Sequence, residues 1–168
     1  MIVKKIGIGY EDYKRMIDED IYYVDKTMLI RDIVEKGGMV TLFTRPRRFG
    51  KTLALSMLRT FFELEYDRDG NVIDNRRYFE GMRIMSEGDE VLSMLGKYPV
   101  IKMSLKSAKQ PDFYGAFLRL REEIIGEFRR HDYLMDSDRL GEDEKKTFKA
   151  FRSGLSIWRE KEEGFRSR

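Results

Sequence analysis

The chain has no cysteine and a single histidine, His131. Disulfides and cysteine-ligated metals are thereby excluded, and so is a zinc site built on a histidine triad. Long apolar runs are also missing. No segment approaches the length of a membrane-spanning helix, and the opening MIVKKIGIGYEDYK has no apolar signal core. Charge is balanced rather than one-signed: 33 basic against 30 acidic residues leave a net +3, too mild to argue for nucleic acid by itself. The composition that remains, 168 residues with 38% charged and 12% aromatic, is that of one globular domain with a real core, expected to be soluble and cytoplasmic with no membrane contact.

The strongly basic cluster is local: Arg45, Arg47, Arg48 and Lys51, within VTLFTRPRRFGKTLALSML at 40–58. Gly50-Lys51-Thr52 is the distal half of the phosphate-loop pattern G-x-x-x-x-G-K-[ST]. In that pattern backbone N–H groups cradle phosphates, the lysine reaches the outer phosphates and the hydroxyl holds Mg²⁺. Arg45 stands where the first glycine of the pattern belongs. The context suits the motif. Residues 39–44 are a short apolar run that predicts a buried strand, and Pro46 stops it, since proline cannot continue a central ladder. A helix should follow at once, because Leu53, Leu55, Met57, Leu58, Phe61 and Phe62 recur at helical spacing on more than one face. Its N-terminus would point free N–H groups and a positive dipole end into the space occupied by Lys51 and the arginines. The competing reading is a solvated basic turn with Lys51 an exposed first-turn lysine.

Around this centre the chain reads as alternating elements. Ile6-Gly7-Ile8-Gly9 offers a G-x-G without the third glycine or the preceding strand of a dinucleotide site. A short helix is expected over 10–19. Asp25 is placed to cap a second helix running to Lys36 and closing on Gly37, with Tyr22 and Tyr23 in the core. Asp67-Arg68-Asp69-Gly70-Asn71 resembles the start of a calcium loop, but Val72 stands where the turn glycine is needed and Tyr78 where the bidentate glutamate is needed, so a polar turn is expected. A second strand is predicted at 98–105, with Pro99 tolerable near its start, then a helix opened by Pro111 and reaching Arg130. His131 lies in a polar stretch and is expected to be solvated. A last helix over 142–160 carries Phe148, Phe151, Leu155 and Trp158, followed by a charged tail at 159–168. Strand, loop and helix repeated twice predict an α/β fold with a parallel sheet, helix-rich, in one domain over 1–168.

Three stretches together resemble a known family: Tyr23-Val24-Asp25-Lys26-Thr27, Arg45-Pro46-Arg47-Arg48-Phe49-Gly50-Lys51-Thr52, and Tyr98-Pro99-Val100-Ile101. They are similar to the bacterial AAA-ATPase-like family, whose members commonly join such a domain to a C-terminal nuclease-like domain of the PD-(D/E)XK type. The resemblance implies a three-layer P-loop NTPase fold that binds ATP with Mg²⁺. The segment 45–52 would hold the phosphates, Thr52 the metal, and the segment with Tyr23 and Asp25 would lie beside the adenine. It also implies a Walker B strand ending in carboxylates. No such strand follows Lys51 in this sequence, which puts hydrolysis in doubt and predicts a partial fold lacking its C-terminal core strands, completed by a partner chain or oligomer or else marginal. Two other functions stay open on the residues alone: a regulatory module whose arginines hold nucleic-acid phosphates, and an inactive gene fragment.

Overall fold

Residues 4–46 and 48–154 are described by a computed structural model, and the chain divides into two units, Met1–Val100 and Ile101–Arg168. Among the described residues, the first unit contains the helices α1 (Tyr13–Asp18), α2 (Met28–Lys36), α3 (Lys51–Phe62) and α4 (Asp89–Leu92), with 3₁₀ turns at Asn75–Phe79 and Arg83–Ser86. Local chemistry sets their ends. The Asp12 carboxylate accepts from Arg15 N at 2.8 Å and caps α1, and Gly37, at φ +51°, closes α2 in the left-handed conformation that favours glycine. The α3 helix spans the apolar repeat that the sequence predicts and ends at Phe62.

Packing in this unit is aromatic. Tyr13 of α1 meets Phe79 at a ring separation of 5.4 Å, and Phe79 meets Phe61 of α3 edge to face at 5.3 Å. Ile30, Met57, Tyr78, Ile84 and Val91 complete the buried cluster. The one polar group of Tyr13 is satisfied, since its hydroxyl donates to the Tyr78 carbonyl at 2.9 Å. Each fully buried side chain of this kind contributes about 1.5–3 kcal/mol relative to exposure. An exposed pair such as Arg15–Glu19 contributes below about 1 kcal/mol, so the aromatic cluster, not surface charge, holds the unit.

The second unit contains α5 (Phe113–Arg130), a 3₁₀ turn at Asp132–Asp136 and α6 (Glu142–Ser153). Asp112, following Pro111, caps α5 by accepting from Gly115 N at 2.7 Å. Phe128 packs against both Phe148 and Phe151 of α6, each at 4.9 Å. His131, expected in solvent, is buried: the chain turns back after α5 and brings the Tyr133 hydroxyl to 3.1 Å from His131 Nδ1. The described part of α6 stops at Gly154, so Leu155, Trp158 and the tail at 159–168 lie outside the described residues.

The parallel-sheet α/β P-loop fold is not seen, and this corrects the expectation. Among the described residues there is no strand, and backbone pairing between extended segments is limited to isolated bridges, Lys5 with Ile21, Glu63 with Tyr98 and Tyr66 with Val72. A strand exists only where a ladder pairs it. Residues 39–44 make no backbone hydrogen bond among the described residues, and their apolar side chains are open to water, Met39 at 103%, Val40 at 88% and Leu42 at 83% exposure. The stretch 98–105 pairs only at its start, where Tyr98 N donates to the Phe62 carbonyl at 2.9 Å and the Tyr98 carbonyl accepts from Leu64 N at 2.8 Å. Apolarity and β-propensity are necessary for a buried strand but not sufficient. Among the described residues, no helix is long and apolar enough to cross a membrane.

Candidate phosphate-binding site

The α3 helix begins at Lys51, directly after Gly50, whose φ of +73° turns the chain into the helix axis. A side chain at that φ is strained, which is the physical reason a glycine stands here. The Gly50 carbonyl accepts the first helical bond, from Ala54 N at 2.8 Å. Gly50 offers no side chain to cap the helix, and the first turn carries no acid. The leading N–H groups and the positive end of the helix dipole are therefore available to an external anion.

A cavity of about 580 Å³ opens beside this turn. Lys51, Arg45 and Lys26 give it positive charge, and no acidic side chain is among its described lining residues. The rest of the described lining is largely apolar, with Leu29 of α2, Phe43, and Leu55 and Leu58 of α3. The Lys51 ammonium donates to the Arg45 carbonyl and, at 3.1 Å, to the Pro46 carbonyl, so it ties the 45–46 backbone to the start of the helix.

The expected site residues divide by position. Arg45, Phe49, Gly50 and Lys51 line the cavity together. Pro46 contributes its carbonyl to Lys51. Arg48 is exposed and adopts φ +67°, a left-handed conformation next to the glycine turn. Thr52 is exposed in the first turn of α3, and Arg47 lies outside the described residues.

Tyr23 and Asp25 belong to a strap, residues 23–27, in which Tyr23, Asp25 and Thr27 turn inward while Val24 and Lys26 are exposed. The Asp25 carboxylate accepts from Thr27 N at 2.8 Å, from the Thr27 hydroxyl at 2.7 Å and from Arg83 N at 2.8 Å. Partial burial opposes its ionisation, but the bonds from the Thr27 hydroxyl, Arg83 N and Thr27 N outweigh that effect and hold the carboxyl below its ordinary value. Thr27, fully buried, is the N-cap residue of α2, and its hydroxyl also accepts from Ile84 N at 3.2 Å. Tyr23 packs edge to face on Tyr13 at 5.1 Å, and burial pushes its phenol up to about 12. Asp25 thus clamps the start of α2 to the 3₁₀ turn at Arg83–Ser86, rather than capping α2 itself.

Within this strap, Lys26 is the residue that lines the cavity, a role the sequence reading did not give it. Its ammonium stands 3.7 Å from where a Cβ on Gly50 would be. A signal was present: a lysine immediately before an N-cap faces the positive end of a helix dipole, an unfavourable place for a cation unless an anion joins it.

The residues present suit a nucleotide better than a free metal ion. Two ammonium groups, an open helix start and an apolar wall match a polyphosphate attached to a planar base. Mg²⁺ keeps several waters and is held largely by substrate phosphates. Among the described residues no group of three or more His, Cys, Asp or Glu could hold a metal, so Thr52 is the candidate protein ligand and the phosphates would supply the rest.

A protein of Azotobacter chroococcum mcd 1, named as an uncharacterized protein in the vnfD 5' region, is 29% identical over 124 residues, 73% of this chain and 20% of that relative. The chain thus spans about one fifth of the relative's length. No solved structure matches. The family model described as predicted AAA-ATPase matches residues 7–161, nearly the whole chain, and the chain belongs to that AAA-ATPase-like family.

Proposed function

We propose that the cavity at the start of α3 binds a nucleotide, ATP with Mg²⁺, through its phosphates. The observation that carries this reading is the convergence of Lys26, Arg45 and Lys51 on one cavity whose described lining has no acidic side chain and is otherwise largely apolar. Family membership supports the ATP theme. In the proposed complex the phosphates meet the Gly50 turn and the free N–H groups of α3, Lys51 contacts the outer phosphates, Thr52 offers its hydroxyl to Mg²⁺, and the base packs against Leu29 and Phe43. Binding is the activity proposed. Phosphoryl transfer requires positioned charge around the transferring group, and the residues proposed to bind would supply a phosphate cradle and one hydroxyl ligand. A cytoplasmic location belongs to the same proposal and agrees with the absence of cysteine.

The test is calorimetric titration of the purified chain with Mg·ATP beside Lys51→Ala, both checked for folding by circular dichroism. Lys51 is exposed and at the helix start, so the variant should fold. Removing a charge-assisted contact should weaken binding roughly tenfold to a hundredfold. Equal affinity in wild type and variant would sink the assignment.

A further inference from the structure

Lys26 is held in place by the same bonds that clamp the start of α2 to the 3₁₀ turn at Arg83–Ser86. Its carbonyl accepts from Leu29 N at 3.1 Å, fixing it to the first turn of α2. On one side Asp25 is bonded to Thr27 and Arg83, and on the other Thr27 is buried and bonded to Ile84 N. The side chain that emerges from this fixed backbone makes no hydrogen bond or ion pair among the described residues, yet it ends close to Gly50 in a cavity that already contains Lys51 and Arg45. Like charges gathered without a counter-charge repel one another, and this arrangement is favourable when a multiply charged anion occupies the space.

We infer that Lys26 is a specificity-determining residue that makes this cavity select polyphosphates over monophosphates, with Asp25 and Thr27 as the positioning residues that aim it. The inference rests on the nucleotide-binding reading of the cavity. A lone phosphate can be satisfied by the helix start and Lys51. A chain of two or three phosphates extends past that point and gains a second ammonium, so each added phosphate should gain more in this site than in one with a single lysine. The chemical class expected is a nucleoside di- or triphosphate, with inorganic tripolyphosphate as a simpler ligand sharing the charged part.

The experiment compares Mg·ATP, Mg·ADP, AMP and tripolyphosphate binding to the full chain, in wild type, Lys26→Gln and Lys51→Ala, by calorimetry. Wild type should bind ATP and tripolyphosphate at least about tenfold more tightly than AMP, and Lys26→Gln should shrink that preference about tenfold while changing AMP affinity little. Thr27→Val should weaken ATP binding in the wild-type background and add nothing in the Lys26→Gln background, a non-additivity that a general loss of stability would not produce. Lys26→Gln that keeps the full ATP-over-AMP preference, while Lys51→Ala loses binding, would overturn this inference alone. Unchanged binding in Lys51→Ala, or a folded wild type that binds none of the four ligands, would overturn the nucleotide site and this inference with it.

Discussion

Thr27→Val tests whether the strap is held by hydrogen bonds or by shape. The substitution exchanges a fully buried hydroxyl for a methyl group with little change in outline. It removes a hydroxyl donor to the Asp25 carboxylate at 2.7 Å, a bond to a charged group worth about 1.5–3 kcal/mol. It also strands the Ile84 N–H, which now donates to the Thr27 hydroxyl at 3.2 Å, and an unpaired buried donor costs about 1–3 kcal/mol. The added methyl returns about 1 kcal/mol, leaving a net loss of roughly 1.5–5 kcal/mol. Thr27→Ser keeps both bonds and loses one methyl, at about 1 kcal/mol. Urea and thermal unfolding followed by circular dichroism would measure both variants, and the valine variant should melt at least about 3 °C lower than wild type. The acid limb of stability offers a second readout. Asp25 is held below its ordinary value of 3.8, so its contribution is complete above that value and is lost as pH falls through the lower, folded value. Losing the Thr27 hydroxyl raises the folded value, so stability in Thr27→Val should depend less on pH below 4. A valine variant within about 0.5 kcal/mol of wild type, or a serine variant as damaged as valine, would refute the hydrogen-bond account.

Two further outcomes follow from the same unit. Gly50→Ala places a Cβ at ordinary contact distance, 3.7 Å from the Lys26 ammonium, so its cost comes from φ +73° and should be about 1–2 kcal/mol; a neutral effect on unfolding would mean the turn relaxes freely. Tyr23, its phenol pushed by burial from 10 to about 12, stabilises the fold fully below pH 10 and loses that contribution as pH rises through about 12. Unfolding measured between pH 9 and 12 should therefore show a smaller alkaline loss in Tyr23→Phe, and parallel curves for the two proteins would contradict the burial argument.

The parts that were legible from sequence are those whose cause is local. The repeat of Leu53, Met57 and Phe61 fixes α3, and Gly37 after a periodic stretch fixes the end of α2. Glycine, lysine and helix start are adjacent in the chain, and a cavity opens beside them. The errors arise where partners are distant. Asp25 looks like a cap until Arg83, 58 residues later, is seen donating to it. Lys26 gains its meaning from Gly50, across the cavity. His131 has polar neighbours in sequence, but the turn at Asp132–Asp136 closes over it. The strand at 39–44 failed for a related reason: a strand is a relation between two segments, and one segment's composition cannot supply the other.

The two walls of the cavity are held differently, and this bears on what can bind. Lys26, Leu29, Ala54 and Leu55 lie in or beside helices anchored by the buried cluster. Thr41, Phe43, Arg45 and Phe49 come from 39–49, whose described residues make no backbone–backbone hydrogen bond and which Lys51 tethers through the carbonyls of Arg45 and Pro46. A ligand that engages Lys51 therefore competes with two neutral acceptors already in place. A phosphate oxygen can win, because a hydrogen bond between charged partners is roughly twice as strong as one to a neutral carbonyl. Any ordering of the loop adds to the cost of binding. A single phosphate exchanges contacts at Lys51 and gains little beyond that, whereas a longer phosphate chain also reaches Lys26, which needs no contact to be broken first. On the proposed reading Lys26 thus supplies the net gain, and the expected polyphosphate preference follows from the order in which the two lysines are free to respond.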